Sequence, residues 1–324
     1  MLFAFALAFL LQQPLSTVPL GQGVSLVKVE QYAPLSLGIK TTAQGVLIAD
    51  VTGSKDLELL YQKNPHTALP IASLTKLMSM MLLLEKSKGH PAMVVMMQQD
   101  EVQGEKGAQR LDVAEGEEIA WNDVVHAALV FSANNAVKAL VCAQGLHEDE
   151  MVEAMNARAQ TWGMQDTHFT DVTGIAPTNV STASDIMILA QHAFATPGIV
   201  AAGASAVYQF NSVVKGSLRP HTLRHTDRTR TSFLNDVQQG FKIVASKTGY
   251  VQEGGYHLVS KVRKEGKEII VILLGSATSQ VRFQEAKGLV WWAFKKTDGR
   301  RLSTDGYRSQ IGTDAPSSVS IRDL

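Results

Sequence analysis

The sequence predicts an α/β fold of the α+β type, an antiparallel sheet flanked by helices, and three observations predict it. Strand-like segments stand at both ends of the chain, helical periodicity fills the middle, and one more helix follows the last strands. Strands from both ends that join one sheet have two faces to bury, which places helices on each side. The composition agrees: of 324 residues 45% are apolar and 19% charged, with 30 basic against 30 acidic, the balance of a globular chain with a sizeable core. Zero net charge removes nucleic acid as a partner, because such binding rests on phosphate neutralisation.

The elements follow in chain order. Leu2 to Leu11 is an apolar run, shorter than the roughly 20 residues that span a bilayer. Its length suits a secretory leader over residues 1–24, although no Lys or Arg precedes it and no clear cleavage site follows; the alternative is a buried strand. Residues 25–296 then make one domain. Gly45 to Asp50, the turn Thr52-Gly53-Ser54 and Leu57 to Tyr61 predict a β-hairpin. From Ser73 to Lys86, Leu74, Leu77, Met78, Met81, Leu82 and Leu84 recur at helical spacing with Gly89 just beyond, predicting a helix that starts near Ser73.

Trp121 to Phe131 is helical, Ser132-Ala133-Asn134-Asn135 interrupts the pattern, and Ala136 to Gln144 resumes it. Further helices are expected over Glu148 to Trp162 and Ser184 to Phe194. Strands are expected over Ala206 to Val214, Phe241 to Ser246, Tyr256 to Val262 and Glu268 to Leu274, with a polar loop from Arg219 to Arg230. A last helix covers Ser279 to Lys296, and 297–324 lacks any period, as a mobile tail would. The methionines Met78, Met80 and Met81, and later Met93, Met96 and Met97, are expected in the core. The lone cysteine, Cys142, excludes an internal disulfide framework and multi-cysteine zinc sites. Among Ala139, Leu140, Val141 and Ala143 it reads as a small core residue.

Ser73 and Lys76 stand three apart at a helix start, so their side chains share a face. A serine hydroxyl needs a base, and a desolvated lysine can be one. The helix N-terminus favours a developing oxyanion. Alone this pattern is weak, since Ser25 with Lys28 and Ser212 with Lys215 repeat it in strand-like sequence. Order and context strengthen it. Ser132-Ala133-Asn134 offers a second hydroxyl and an amide at a helix break. Lys247-Thr248-Gly249 follows a strand, where the lysine and threonine can hold a carboxylate and the glycine permits close backbone approach.

With these three motifs the sequence resembles the penicillin-binding proteins and serine β-lactamases, and more narrowly the low-molecular-mass D-alanyl-D-alanine peptidases. The likeness extends through Pro70-Ile71-Ala72-Ser73-Leu74-Thr75-Lys76, Met155-Asn156, Trp162-Gly163-Met164, Thr167-His168-Phe169, Thr173-Gly174-Ile175, Asn179 to Ala183 with Asp185, and Ser246 to Tyr250. It implies the sandwich of that family with an all-helical region. It makes Ser73 the nucleophile, Lys76 its base and Ser132 a proton shuttle. Asn134 would orient the substrate amide and Lys76. Lys247 and Thr248 would bind the terminal carboxylate, Gly249 would admit the substrate backbone, and the amides of Ser73 and Tyr250 would form the oxyanion hole. It implies peptidoglycan stem peptides as substrate, β-lactams as covalent inhibitors, export to the periplasm or cell envelope, and no cofactor or metal.

No Glu-x-x-Leu-Asn segment of the kind used for β-lactam deacylation is present, and no amphipathic anchor is evident after Thr297. Tyr250-Val251-Gln252-Glu253-Gly254-Gly255 looks more like the shorter D,D-endopeptidase branch than the carboxypeptidase branch. Among rivals, a Ser-His-Asp hydrolase lacks a Gly-x-Ser-x-Gly elbow. A metallopeptidase lacks His-Glu-x-x-His, and His221 and His225 are expected as solvated loop residues. A catalytically silent peptidoglycan-binding or penicillin-sensing module would have lost Ser73, Lys76 or Lys247, and all three are present.

Overall fold

The computed structural model describes residues 19–20, 24–27, 41–53, 57–85, 89–97, 108–231 and 240–308. Residues 1–18 of the expected leader and 309–324 of the expected tail lie outside them.

Strands β1 (Pro19–Leu20), β2 (Val24–Val27), β3 (Gly45–Asp50) and β4 (Leu57–Lys63) open the chain, and β5 (Leu69–Pro70) leads into a 3-10 turn, Ala72–Leu74, and helix α1 (Thr75–Glu85). Next come β6 (Met93–Val95), β7 (Glu118–Ala120), α2 (Trp121–His126), a π-helical turn over Ala127–Phe131, α3 (Asn134–Ala143) and α4 (Glu148–Thr161). β8 (Val180–Ser181), α5 (Ala183–Ala193), α6 (Pro197–Ala204) and the hairpin β9 (Val207–Val214) to β10 (Ser217–Arg224) follow. A second 3-10 turn, Arg228–Thr231, precedes β11 (Lys242–Val251), β12 (Gly255–Lys264), β13 (Lys267–Ser276) and α7 (Ser279–Arg308).

The main sheet has the order β1-β2-β4-β3-β13-β12-β11. It is antiparallel except where β2 meets β4. The two ends of the chain join where β3 pairs with β13, as Val271↔Ile48 and Leu273↔Val46. Side chains on a strand alternate between faces, and here the alternation divides the core. Val46, Ile48, Ile269, Val271 and Leu273 pack under Phe283, Leu289, Val290 and Phe294 of α7. Leu47, Ala49, Ile270, Ile272 and Leu274 face the other way, into the larger core built around α1, α2, α3 and α5. Both faces of the sheet are thereby covered, as the order of elements predicted.

Several details differ from the sequence expectation. The stretch from Arg219 is a strand, β10, paired with β9 from Ser217↔Val214 to Arg224↔Val207 in a small sheet ordered β10-β9-β7-β6. Its polar inward residues hid it. His221 is no solvated loop residue: its Nε2 lies 2.9 Å from Glu117 Oε1 and 2.9 Å from Ser212 Oγ, and Arg219 donates to Glu117 at 3.0 Å. His225 is buried as well, and its Nδ1 accepts from the Asp227 amide at 2.9 Å. Glu117 is distant in sequence from both Arg219 and His221, so no local pattern announces that cluster.

Cys142 is exposed, because α3 buries Ala136, Val137, Leu140 and Val141 and leaves residue 142 one turn along from Lys138 on the solvent side. Met78, Met80, Met81 and Met96 are buried, whereas Met93 and Met97 are exposed; on β6 only Val94 turns inward, so Met93 faces out. Helix α7 continues to Arg308 instead of ending at Lys296, so residues 297–308 are helical. Thr297 Oγ1 donates to the Phe294 carbonyl at 2.8 Å, and Lys267 reaches Asp298 at 2.6 Å. Among the described residues no single helix is long and apolar enough to cross a membrane.

Candidate active site

Ser73 sits in the 3-10 turn that becomes α1, directly after Ala72, whose φ of +50° is the left-handed conformation that non-glycine residues rarely adopt. The turn is held from two sides. Gly174, at φ +78°, passes so close that a Cβ there would stand 1.9 Å from the Ala72 carbonyl oxygen, and on the other side a Cβ on Gly249 would stand 2.8 Å from the Ile71 carbonyl oxygen. Gly174→Ala is therefore expected to lower stability by about 1–3 kcal/mol or more, from the left-handed strain and the collision together. A thermal melt of the variant checks this, and an unchanged midpoint would show that the turn yields freely.

Lys76 lies one helical turn into α1 and is completely buried. Its Nζ is 2.9 Å from Ser73 Oγ, 2.6 Å from Asn134 Oδ1 and 2.7 Å from the Thr173 carbonyl oxygen. Burial lowers its pKa to about 7, against a smaller upward pull from the Asp171 carboxylate. Loss of one proton suits these partners. A neutral amine can donate to Asn134 and Thr173 and turn its lone pair to the Ser73 hydroxyl.

Ser132 follows the π-helical turn and takes φ +67°, a break of the kind that often marks a functional position in a helix. The Ala133 amide donates to the Ala127 carbonyl at 3.1 Å, and the Asn134 amide to Gln109 at 2.8 Å. Asn135 holds both backbone groups of Leu111, at 2.8 and 2.9 Å, so its role in the interrupted pattern is to anchor a loop. Ser132 receives a hydrogen bond from Lys247 Nζ at 2.8 Å, and the same ammonium reaches the Thr248 carbonyl at 2.9 Å. Burial lowers the pKa of Lys247 far below its ordinary value, with further lowering from the like charges of Lys76 and Arg282. Two buried lysines whose partners are neutral oxygens form a site deficient in negative charge, suited to a carboxylate.

Lys247, Thr248, Gly249 and Tyr250 all lie on β11, the edge strand of the main sheet. Thr248 Oγ1 donates to Thr226 Oγ1 at 2.6 Å. The Tyr250 ring is exposed and stacks on Tyr256 with centroids 4.3 Å apart. The structure thus brings Ser73, Lys76 and Asn134 into one hydrogen-bonded group and Ser132 with Lys247 into a second, and sets Gly249 against the Ser73 turn. The other Ser-x-x-Lys matches lie apart from them. Ser25 is on β2 and Ser212 on β9, so neither stands at the start of a helix.

Several contributors escaped sequence reasoning. Asp171 accepts hydrogen bonds at Oδ1 from the Thr173 amide and hydroxyl and the Gly174 amide, at 2.6 to 2.8 Å, and at Oδ2 from the Ala176 amide at 3.0 Å. It thereby shapes the loop that presents the Thr173 carbonyl to Lys76. Arg282 of α7 donates through one nitrogen to the Gly249 carbonyl at 3.0 Å and the His257 carbonyl at 2.9 Å, fixing β11 from behind. An Asp two residues before Thr-Gly is a visible turn signal; Arg282 carries none.

The comparisons with known proteins agree with this geometry. Residues 31–278 match the D-alanyl-D-alanine carboxypeptidase family. A D-alanyl-D-alanine endopeptidase of Haemophilus influenzae is 28% identical over 243 residues, 74% of this chain and 78% of that protein. A D-alanyl-D-alanine carboxypeptidase of Bacillus subtilis is 27% identical over 259 residues, 79% of this chain but only 63% of the relative's length. In fold, the chain is similar to the Streptomyces K15 DD-transpeptidase, with a TM-score of 0.70, 23% identity, and coverage of 79% of this chain and 98% of that one. A match that takes in most of the chain, over a fold and a set of side chains arranged as the three motifs required, establishes that this protein belongs to the D-alanyl-D-alanine carboxypeptidase family.

Proposed function

We propose that the protein is a serine D-alanyl-D-alanine peptidase that cuts peptidoglycan stem peptides through an acyl-enzyme at Ser73, and that it favours the cross-link over the terminal D-Ala. The observation that carries this is Lys76, fully buried, in hydrogen-bond reach of both the Ser73 hydroxyl and Asn134. Lys76 in its neutral form takes the Ser73 proton as Oγ attacks the D-Ala carbonyl. The amides of Ser73 and Tyr250 bind the oxyanion. Asn134 orients the substrate amide. Ser132, held by Lys247, passes a proton to the leaving amine, and Lys247 and Thr248 bind the substrate carboxylate. Water then releases the acyl group and restores Ser73. β-Lactams, as strained acyl donors carrying a carboxylate, enter by the same route. Such chemistry supports a location in the bacterial cell envelope, where the substrate lies.

One feature supports the endopeptidase preference: Tyr250 to Gly255 continues the third motif as that branch does. Digestion of cross-linked dimeric muropeptides beside monomeric pentapeptides tests the proposal. Dimers are expected to fall to monomers faster than pentapeptides lose D-Ala. Loss of only the terminal D-Ala, with dimers intact, would return the protein to carboxypeptidase activity.

A further inference from the structure

We propose that His257 is a positioning residue that holds the Ser73 turn in register with β11, so that the rate of acylation depends on its ring. His257 lies on β12 directly opposite Gly249 and is completely buried. A Cβ on Gly249 would stand 3.2 Å from its Cδ2, and one on Gly254 would stand 3.0 Å from its Nε2 and 2.2 Å from the Pro70 carbonyl oxygen. The ring is therefore wedged between the β11–β12 hairpin and the Pro70–Ala72 segment that leads into Ser73. Two glycines leave the space it fills.

Its hydrogen bonding defines its chemical state. Nδ1 accepts from the Gly275 amide at 3.0 Å, so Nε2 carries the proton. That N–H faces the Pro70 carbonyl without closing a bond of ordinary geometry in the unliganded protein. Burial, reinforced by the Arg282 charge, pushes the pKa down to about 3, against an upward pull from the Pro70 carbonyl. The ring is neutral throughout the working range. The His257 backbone carbonyl accepts from the same Arg282 nitrogen that holds the Gly249 carbonyl. One residue thus touches the end of β13, the back of β11 and the chain just before the nucleophile. It contacts none of the reacting atoms; it sets the distance between the two halves of the oxyanion site, where small displacements cost rate.

This inference rests on acylation at Ser73, which the wild-type protein tests by itself with a β-lactam. The limiting acylation rate and the half-saturating β-lactam concentration are then measured for wild type, His257→Leu and His257→Gln. Leucine is expected to lower the limiting rate about ten-fold or more while half-saturation moves less than about two-fold. Glutamine should restore most of the rate, because its amide can accept from Gly275 and donate to Pro70. A leucine variant that acylates at the wild-type rate overturns the proposal. So does a glutamine variant as slow as leucine, or a loss confined to half-saturation. Should the leucine variant fail to fold, nitrogen-15 spectra of the wild-type ring decide: a neutral Nε2–H tautomer is expected from about pH 5 to about pH 9, and an imidazolium or an Nδ1–H tautomer overturns the proposal. A wild type that no β-lactam acylates would instead overturn the proposed function.

Discussion

Ser73→Ala is expected to abolish covalent labelling by a β-lactam and to lower peptide cleavage by at least about 10⁴-fold, the scale of loss when a nucleophile is removed from a serine hydrolase. The proposed chemistry has no second route. Ser132 and Lys247 are bonded to each other, and Lys76 is left without a hydroxyl to deprotonate. The fold should survive, because the lost Oγ makes a part-buried contact to Lys76 and the turn is held by Gly174 and Gly249 packing on its backbone. Intact-protein mass spectrometry after penicillin treatment reads the result. An adduct that persists in the variant, or that maps to Ser132 or Ser212, sinks the assignment. In the wild type the adduct should be long-lived. Asp171 is the carboxylate that bears on Lys76, and its oxygens are engaged by the amides and hydroxyl of its own loop, leaving it poorly placed to activate a deacylating water.

The second large effect concerns the Lys76 proton. Burial sets its pKa at about 7, and only the neutral amine can accept from Ser73. Acylation should therefore rise with pH through about 7, falling about ten-fold for each unit below it. Lys76→Arg keeps a cation but cannot readily lose its proton, so it is expected to be nearly inactive at every pH. The measurement is the second-order acylation rate constant against pH for both proteins. A flat profile in the wild type, or substantial acylation by the arginine variant, would point to a different base.

How much of this was legible in the sequence depends on the range of the interaction. Ser73 and Lys76 meet because residues three apart share a helix face, and the structure keeps that geometry with only a tightening of the first turn to 3-10. The unbroken apolar runs of β3 and β13 specified a sheet with two apolar faces, so joining both ends of the chain was readable from the sequence alone. The order of the three motifs indicated the site. Boundaries fared less well at β10 and α7, whose defining contacts lie outside the segment. His221 is matched by Glu117 and Asp298 by Lys267.

The sequence by itself determined the residue types, the local spacings and the two-faced sheet, since these follow from the fixed periods of helix and strand. Only the tertiary structure decided that the Thr173 carbonyl joins Asn134 on Lys76, that Arg282 ties α7 to the Gly249 carbonyl, that His257 fills the space behind two glycines, and that Cys142 faces solvent. The physical reason is that a backbone carbonyl has no residue signature, and burial depends on which elements meet. Burial is also what brings the pKa of Lys76 down to about 7, so the sequence placed the proposed base while the packing around it set its proton affinity.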